Sequence, residues 1–292
     1  MKKYFTLFLL LSGIYSAISQ VLPITEIEKE RNDILDDLFQ EDSDIDELMA
    51  LLSNYQLLYI STNYNNATYF SGRDIGIDQY NIRPQITYLN SSGLFASIYG
   101  IYYSKLEPKW DVTTATLGYG KSFGKNNLFK YYASYSKYFY NNTDVNIFSN
   151  DISVGLSIRD KKRTLGTQFT SSYLFGNEQS IQITSTSYAI INLLKTKKAN
   201  LALRPQLSII AGKQTIELAQ SYTRMGQVFT TYTTNDVFNL INTQLNIPLQ
   251  FSANSFDFEL GYNINFPNAI GNESNLKNTS FFNLRMGYLF DL

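Results

Sequence analysis

Apolar and polar side chains alternate with a period of two residues from Tyr55 to the end of the chain. In residues 79–88, the apolar Tyr80, Ile82 and Ile86 are separated by polar residues. Successive side chains of a β-strand point to opposite faces, so this alternation predicts strands with one apolar and one polar face. Twelve strands are predicted, at residues 55–64, 79–88, 94–105, 111–123, 128–140, 151–159, 164–175, 180–193, 201–212, 237–252, 255–266 and 280–291.

The lengths of these strands and of their connections distinguish between two all-β folds. The strands are about ten to sixteen residues long, which suits a tilted crossing of a bilayer, whereas strands of a soluble sandwich usually have about five or six residues. Tight turns such as residues 90–93 follow the even strands, and generally longer segments such as residues 65–77 follow the odd strands. We therefore predict an all-β, antiparallel, up-and-down transmembrane β-barrel of about twelve strands, with ten or fourteen as alternatives.

The first 53 residues predict two further parts. Residues 1–19 have a basic start, an apolar core and small residues before a cleavage site after Ser19, as in a secretory signal peptide. Residues 20–53 are predicted to be an acidic, helical periplasmic segment, because Thr25 and Glu28 form a capping box and apolar residues then recur at helical spacing. The β-barrel is assigned to residues 54–292.

The composition agrees with a membrane barrel but does not require one. The chain has 23 Tyr and 20 Phe, and only 17% of its residues are charged, whereas about a quarter is usual in a soluble domain. Strands that meet lipid on one face and polar side chains on the other have such a composition. A soluble β-sandwich is disfavoured by the strand lengths and the connections rather than by composition.

The last strand resembles a known class of sequence. Residues 280–292, Ser-Phe-Phe-Asn-Leu-Arg-Met-Gly-Tyr-Leu-Phe-Asp-Leu, resemble the strand by which Gram-negative outer-membrane β-barrels are recognised for assembly. The Gly-Tyr-Leu-Phe ending is similar to that of Bacteroidota barrels, although Asp291 and Leu292 follow the aromatic Phe290 here. The resemblance implies contact with outer-membrane lipid and with the barrel assembly machinery, but no particular function. The even number of strands places the N-terminal segment and the C-terminus on the same side, the periplasm.

The residue types limit the chemistry. The chain has no histidine and no cysteine, which excludes a Ser-His-Asp triad, disulfides, and imidazole or thiolate metal sites. Asp257 and Glu259 lie two residues apart on one strand face and could form a catalytic pair, but neutralisation by basic residues of adjacent strands is the simpler explanation. We therefore predict no enzymatic activity, no cofactor, no metal and no nucleic-acid partner.

The net charge of −1 hides two oppositely charged parts. Residues 20–52 have eleven acidic and two basic residues, whereas residues 53–292 have fourteen acidic and twenty basic residues. A basic rim is predicted at the periplasmic turns, which either meets anionic lipid headgroups or holds the acidic segment as a lid or partial plug. The rim residues are Lys121, Lys125, Lys161, Lys162, Arg163, Lys195, Lys197 and Lys198.

The polar strand faces define a predicted lumen. Its charged residues should give at most a mild anion preference, because arginine only slightly outnumbers carboxylate. Residues 213–236 either fold inward to constrict the lumen or extend the barrel as a hairpin. The leading hypothesis is a passive channel for small polar or anionic solutes. The alternative is a non-conducting structural or accessory subunit that docks a periplasmic or outer-membrane partner through the acidic segment. The lumen candidates are Arg83, Asp151, Arg159, Arg204, Asp257, Glu259 and Arg285.

Overall fold

The computed structural model describes residues 56–124, 127–141, 148–196, 199–224, 227–270, 273 and 276–292, with the backbone alone for residues 214–237. The predicted signal peptide and acidic segment lie outside the described residues, and both stay predictions. Within the described part, the search for an α-helix long and apolar enough to span a membrane finds none.

Twelve antiparallel strands form a closed barrel, which confirms the predicted fold class and strand number. The strands are β1 (Gln56–Asn65), β2 (Asn81–Asn90), β3 (Leu94–Tyr103), β4 (Trp110–Phe123), β5 (Phe129–Tyr140), β6 (Phe148–Arg159), β7 (Leu165–Gly176), β8 (Gln179–Ala189 and Ile191–Lys195), β9 (Ala199–Leu203 and Gln206–Arg224), β10 (Gln227–Ala253), β11 (Phe256–Pro267) and β12 (Thr279–Asp291). A short hairpin lies in the connection after β1, and its two strands, Tyr69–Phe70 and Arg73–Asp74, have two residues each.

The ring closes between β1 and β12. These strands pair from Leu57, opposite Asp291, to Asn65, opposite Asn283. Backbone groups at the depth of a membrane must be hydrogen-bonded within the protein, and closure of the ladder provides this for the two outermost strands. The Leu292 amide also donates to the Gln56 carbonyl at 2.9 Å, so both ends of the described chain lie at the same end of the barrel.

The two ends of the barrel differ in their connections. At one end, which we call the short-turn rim, a few residues join each even strand to the next odd strand, and both ends of the described chain lie there. At the other end, the long-loop rim, residues 66–80 follow β1 and residues 268–278 follow β11. The predicted alternation therefore holds for residues 66–80, 104–109 and 268–278, whereas β7 and β8 are joined by residues 177–178 alone.

The outer face is apolar in the middle and aromatic towards both rims. Leu117, Leu156 and Leu260 are all exposed on this face. An apolar band between two aromatic girdles is typical of a barrel surface that meets lipid. Ring pairs on this face include Phe123–Phe129 at 5.5 Å and Phe256–Tyr288 at 4.5 Å near the short-turn rim, and Tyr64–Tyr80 at 5.7 Å and Tyr262–Phe282 at 4.8 Å near the long-loop rim.

β9 and β10 extend beyond their other neighbours as a two-stranded ribbon. β8 last pairs with β9 at Gly212, and β11 last pairs with β10 at Asn242. β9 and β10 nevertheless stay paired with each other up to Arg224 and Gln227. Of the two alternatives for residues 213–236, the structure therefore shows the extended hairpin.

Glycines on the inner face make room for aromatic side chains of the neighbouring strand. The Tyr132 ring on β5 lies against Gly155 on β6, and its hydroxyl is 3.1 Å from Thr170 Oγ1 on β7. The Tyr188 ring on β8 lies in the same way against Gly166 on β7. A Cβ atom at either glycine would overlap the ring, so the glycines allow these rings to lie along the wall.

Replacing Gly155 by alanine should destabilise the barrel, because the new Cβ would overlap the Tyr132 ring. Overpacking of this kind costs about 1–3 kcal/mol of unfolding free energy, which urea titration in lipid vesicles can measure. In a Tyr132→Ala background, the same substitution should cost much less. Ser157→Ala, at another inner position of β6, is the matched control. An equal cost of Gly155→Ala in both backgrounds would contradict the ring contact as the cause.

Candidate functional site: the barrel interior

The structure places every predicted lumen residue on the inner face of the barrel. Arg83 is half-buried and the other six are buried. The strand faces are therefore as the alternation predicts, whereas a role in selectivity stays a prediction. The six buried residues are Asp151, Arg159, Arg204, Asp257, Glu259 and Arg285.

Side-chain amides cover the inner face from β10 through β12 to β2, a surface that we call the amide wall. Asn65 donates to Asn81 at 3.0 Å, and Asn81 donates in turn to Thr68 Oγ1 at 2.9 Å. Asn263 donates to Asn283 at 2.8 Å. An amide has both donors and an acceptor, so such rows link neighbouring strands without water. The buried members are Asn63, Asn65, Asn81, Asn242, Asn246, Gln250, Asn263, Asn265 and Asn283.

Two carboxylates lie within the amide wall on β11. Glu259 accepts hydrogen bonds from Asn283 at 2.7 Å and from Gln250 at 3.2 Å. Asp257 accepts a hydrogen bond from Tyr59 Oη at 3.0 Å. Buried charges need such partners, and each of these carboxylates has at least one. Among the described residues, no group of three or more His, Cys, Asp or Glu is placed to hold a metal ion.

Small hydroxyl side chains cover the inner face from β4 to β8, a surface that we call the hydroxyl wall. Thr116 and Ser136 are 2.9 Å apart between their hydroxyl oxygens, and Ser153 and Ser172 are 2.7 Å apart. The inner hydroxyl residues of β7 and β8 are half-buried, whereas the amide wall is buried. The inner face is therefore less tightly covered along β7 and β8 than along the amide wall. The members are Thr114, Thr116, Ser134, Ser136, Ser153, Ser157, Thr170, Ser172, Thr184 and Thr186.

Apolar side chains occupy the inner face near the short-turn rim from β12 to β3. Leu89 is buried directly opposite both Leu57 and Phe95. Leu289 and Tyr59 are buried opposite each other in the same region. This cluster is absent from the sequence predictions, which treat the inner face as polar. It fills this side of the lumen and leaves the hydroxyl wall as the more open side.

Three buried cations, which we call the basic arc, line the inner face from β5 to β9: Lys130, Arg159 and Arg204. Lys130 on β5 and Arg159 on β6 are diagonal neighbours in the ladder. Arg159 lies opposite Gly166, which the Tyr188 ring covers, and the guanidinium carbon of Arg204 is 4.3 Å from the centroid of that ring. Sequence reasoning misses Lys130, because aromatic residues on both sides of it obscure the alternation in β5.

The connection between β1 and β2, residues 66–80, is tied to the adjacent β11–β12 connection by an ion pair. We call it the mouth loop. Arg73 Nη2 and Nε each lie 3.0 Å from an oxygen of Glu273, in a bidentate arrangement. Arg73 Nη2 also donates to the Asn268 carbonyl at 2.7 Å. Bidentate pairs of this kind fix orientation as well as position.

The tip of the mouth loop lies against inner-face residues on both sides of the mouth. Thr279 Oγ1 on β12 donates to the Gly72 carbonyl at 2.8 Å, and a Cβ at Gly72 would overlap the Asn242 side chain on β10. The Phe70 ring lies 6.3 Å from the Tyr103 ring on β3. The mouth loop therefore covers the part of the opening beside β10 to β3, whereas an inward fold is predicted as one alternative for residues 213–236.

The predicted basic rim is found at the short-turn rim, as far as its residues are described. Lys161, Lys162 and Arg163 lie in the β6–β7 turn, Lys195 ends β8, and Lys121 is exposed near the end of β4. Lys125, Lys197 and Lys198 lie outside the described residues.

Asp160 holds the β6–β7 turn in shape. Its carboxylate accepts hydrogen bonds from the backbone amides of Leu165 at 2.8 Å and Thr164 at 2.6 Å. These bonds, first among them the one from Leu165, lower the pKa of Asp160 below its ordinary value. The Asp160 carboxylate therefore stays ionised at neutral pH and continues to accept the hydrogen bonds that shape the turn with Lys161 and Lys162.

Comparison with known proteins finds solved barrels but no family. No protein-family model and no curated protein matches the chain. Similar solved structures include a KdgM porin, at 7% identity over 80% of this chain and 98% of that chain with a TM-score of 0.44. A NanC porin has 13% identity over 80% of this chain and 100% of that chain, with a TM-score of 0.44. An outer membrane channel from Pseudomonas putida F1 has 13% identity over 86% of this chain and 100% of that chain, with a TM-score of 0.44.

Replacing Arg73 by alanine should release the mouth loop, because it removes the ion pair to Glu273 and the bond to Asn268. A spin label on Ile77→Cys reports the motion of this loop, and the chain has no other cysteine. For a partly exposed ion pair worth about 1 kcal/mol, the ratio of mobile to immobile label should rise about five-fold. Lys109→Ala, which removes an exposed cation from the same rim, should leave the spectrum unchanged. An immobile label in Arg73→Ala would contradict the assignment.

Lowering the pH should release the mouth loop in protein that retains both Arg73 and Glu273. Hydrogen bonds from Arg73 lower the pKa of Glu273, so the stabilisation is complete above the ordinary glutamate pKa of about 4.3 and is lost as the pH falls through the lowered value. The label should stay immobile from neutral pH down to about pH 5 and become mobile below about pH 4. Glu273→Gln should be more mobile at neutral pH and show no acid step. An acid step of the same size in that variant would assign it to another group.

Proposed function

We propose that the protein is an outer-membrane β-barrel that works as a passive channel for small polar or anionic solutes. The observation that carries this proposal is the hydroxyl wall. Thr170, Ser172, Thr184 and Thr186 are only half-buried on the inner face of a closed ring, while the facing amide wall is buried. Solutes would diffuse along β7 and β8, exchanging hydrogen bonds with hydroxyl groups that can both donate and accept.

The surface of the barrel supports a place in the outer membrane. The apolar band and the two aromatic girdles match the hydrocarbon core and the two interfaces of a bilayer. In bacterial barrels the short turns face the periplasm, so the short-turn rim, the acidic segment and the C-terminus would lie there. Lys161, Lys162 and Lys195 would then meet anionic lipid or the acidic segment, and residues 280–292 would engage the barrel assembly machinery.

The charges of the interior favour anions mildly. Among the described residues, the buried or half-buried charged residues of the inner face number five basic against three acidic. An excess of this size tunes the selectivity of a pore and does not exclude cations. The basic residues are Arg83, Lys130, Arg159, Arg204 and Arg285, and the acidic residues are Asp151, Asp257 and Glu259.

A non-conducting accessory subunit is the second candidate. The observation in its favour is that the amide wall and the apolar cluster around Leu89 are buried over about half of the inner circumference. Twelve strands can enclose a bore that side chains fill. In that case the acidic segment would serve to dock a periplasmic or outer-membrane partner.

Recordings from planar bilayers distinguish the two candidates. The channel should give steady, weakly anion-selective current steps. Ser172→Trp places a large side chain on the hydroxyl wall and should lower the conductance by about half or more, as expected for a narrow pore. Ser171→Trp, one residue away on the outer face, is the matched control and should leave the conductance unchanged.

One outcome would overturn the channel, and a second would overturn the assignment of its path to the hydroxyl wall. Folded protein that carries no current, and that co-purifies with a partner in stable proportion, would establish the accessory subunit. Equal conductance for Ser172→Trp and Ser171→Trp would place the permeation path away from the hydroxyl wall.

A further inference from the structure

The lipid-facing side of β5 has a cation among its aromatic residues. Lys137 lies between Tyr135 and Phe139 on the outer face, and these two neighbours are 44% and 56% exposed. The alternate position Ser136 faces inward and is 7% exposed. Lys137 is three residues from the end of β5, so it lies at the aromatic girdle of the long-loop rim. A cation on a lipid-facing surface costs much less at this depth than at the middle of the bilayer.

A neighbouring amide holds the ammonium group at the level of the girdle. Lys137 Nζ donates to Asn150 Oδ1 at 3.1 Å, and Asn150 lies directly opposite Lys137 on β6. Tyr135 Oη donates to the same oxygen at 2.8 Å. Lysine side chains near a membrane interface usually extend towards water, whereas this one is bonded sideways to the next strand. Its ammonium group therefore stays within the lipid-facing surface.

The Asn150 amide is oriented by contacts on its other side. Its Nδ2 donates to Ser149 Oγ at 3.0 Å and to the Phe175 carbonyl at 3.4 Å. With the nitrogen bound there, the amide oxygen is directed towards Lys137 and Tyr135. An amide oxygen has no net charge, so it positions the ammonium group without cancelling its charge.

The positive charge of Lys137 is suited to an anion from the membrane. Among the described residues, no carboxylate forms an ion pair with Lys137. An ammonium group has three donors, and Asn150 accepts from one of them. A charge that is partly removed from water is stabilised by an opposite charge. At the depth of the girdle, lipid headgroups are the source of such a charge.

We propose that Lys137, together with Asn150 and Tyr135, binds the phosphate group of a lipid in the leaflet at the long-loop rim. Two ammonium donors remain for phosphate oxygens, and a phosphate monoester offers up to about two negative charges. The acyl chains of the lipid would lie along the exposed Ile152 and Tyr173, which follow the cluster towards the middle of the barrel. The site is on the outside of the barrel, so it does not depend on passage of solutes through the lumen.

A tryptophan placed below the cluster reports which lipids lie there. Trp110 is the single tryptophan of the chain, so Trp110→Phe with Ile152→Trp leaves one reporter, directly opposite Tyr135 on the outer face. Lipids with brominated acyl chains quench tryptophan fluorescence only at short range, so quenching measures the local lipid composition. The matched reporter is Leu260→Trp in the same Trp110→Phe background, because Leu260 has leucines opposite it on both neighbouring strands.

Quenching is compared for two brominated lipids in phosphatidylcholine vesicles. Phosphatidic acid has a phosphate monoester, whereas phosphatidylcholine has no net charge. At Ile152→Trp, phosphatidic acid should associate about five-fold more strongly than phosphatidylcholine, as expected for one cation near a membrane surface. At Leu260→Trp, the two lipids should quench equally. Both leaflets contain the probe, so the orientation of the barrel does not matter. Equal quenching by the two lipids at Ile152→Trp would overturn the proposal.

Three substitutions assign the preference to the cluster. Lys137→Gln should abolish the preference at Ile152→Trp. Asn150→Asp should abolish it too, because a carboxylate beside Lys137 takes the place of the phosphate. Lys121→Gln removes an exposed cation from the lipid-facing side of β4 near the short-turn rim and should leave the preference unchanged. Quenching by brominated phosphatidylcholine should be the same in all variants, which verifies that the reporter has not moved.

Two results would overturn the assignment to this site. The first is a preference for phosphatidic acid that survives Lys137→Gln. The second is an equal loss of the preference in Lys121→Gln, which would indicate general attraction of anionic lipid to the barrel.

The lipid site and the proposed channel can fail separately. Current steps in planar bilayers, with equal quenching by both lipids, would retain the channel and reject the lipid site. A preference for phosphatidic acid at Ile152→Trp, without current, would retain the lipid site and reject the channel.

Discussion

The structure depends on the closure of the backbone ladder between β1 and β12. A strand edge at the depth of a membrane would leave amide and carbonyl groups without partners, at several kcal/mol each. Pairing of β1 with β12 from Leu57 to Asn65 removes that edge and fixes which residues face inward on both strands. Because the side-chain period is two, a shift of one residue in this register would turn Asn63 and Arg285 towards lipid.

Closure creates an interior whose polar groups have to find partners among themselves. The amide wall solves this with rows of asparagine that connect adjacent strands, and it holds Glu259 between Asn283 and Gln250. The hydroxyl wall uses shorter side chains, which bond to one another and extend less far from the backbone. The two walls therefore differ in how far they reach into the lumen. The inner residues of β7 and β8 are for this reason more exposed than the amide wall, although the ring itself is continuous.

The strands and their faces could be predicted because alternation is a local property of the sequence. The apolar cluster near the short-turn rim also has a local signal, since Leu57-Leu58, Tyr88-Leu89 and Leu94-Phe95 are apolar on both faces where the strands end. The bulge at Ile241 has no such local signal. Ile210 pairs with Asn242 and Ala211 pairs with Leu240, so Ile241 has no partner in the β9–β10 ladder. Its side chain is buried, which departs from the alternation.

Features that join distant parts of the chain could not be predicted. Arg73 and Glu273 are 200 residues apart in sequence, and both lie in connections without periodicity. Arg204 and Tyr188 come together because β8 and β9 are neighbours, but their contact also requires that Gly166 on β7 leave room for the ring. Such contacts depend on three strands at once, which a pattern within one strand does not encode.

The two ends of the barrel are held by different interactions, which respond differently to the solution. The mouth loop is held by a bidentate ion pair and by backbone carbonyls, all within the described chain, so its position is determined by the fold. The short-turn rim has an apolar cluster on one side and the basic arc on the other. An apolar cluster stays packed at any salt concentration, whereas a charged surface responds to ionic strength and to anionic groups. Each end therefore has a charged element that responds to the solution, the basic arc at the short-turn rim and the Arg73–Glu273 pair at the mouth loop.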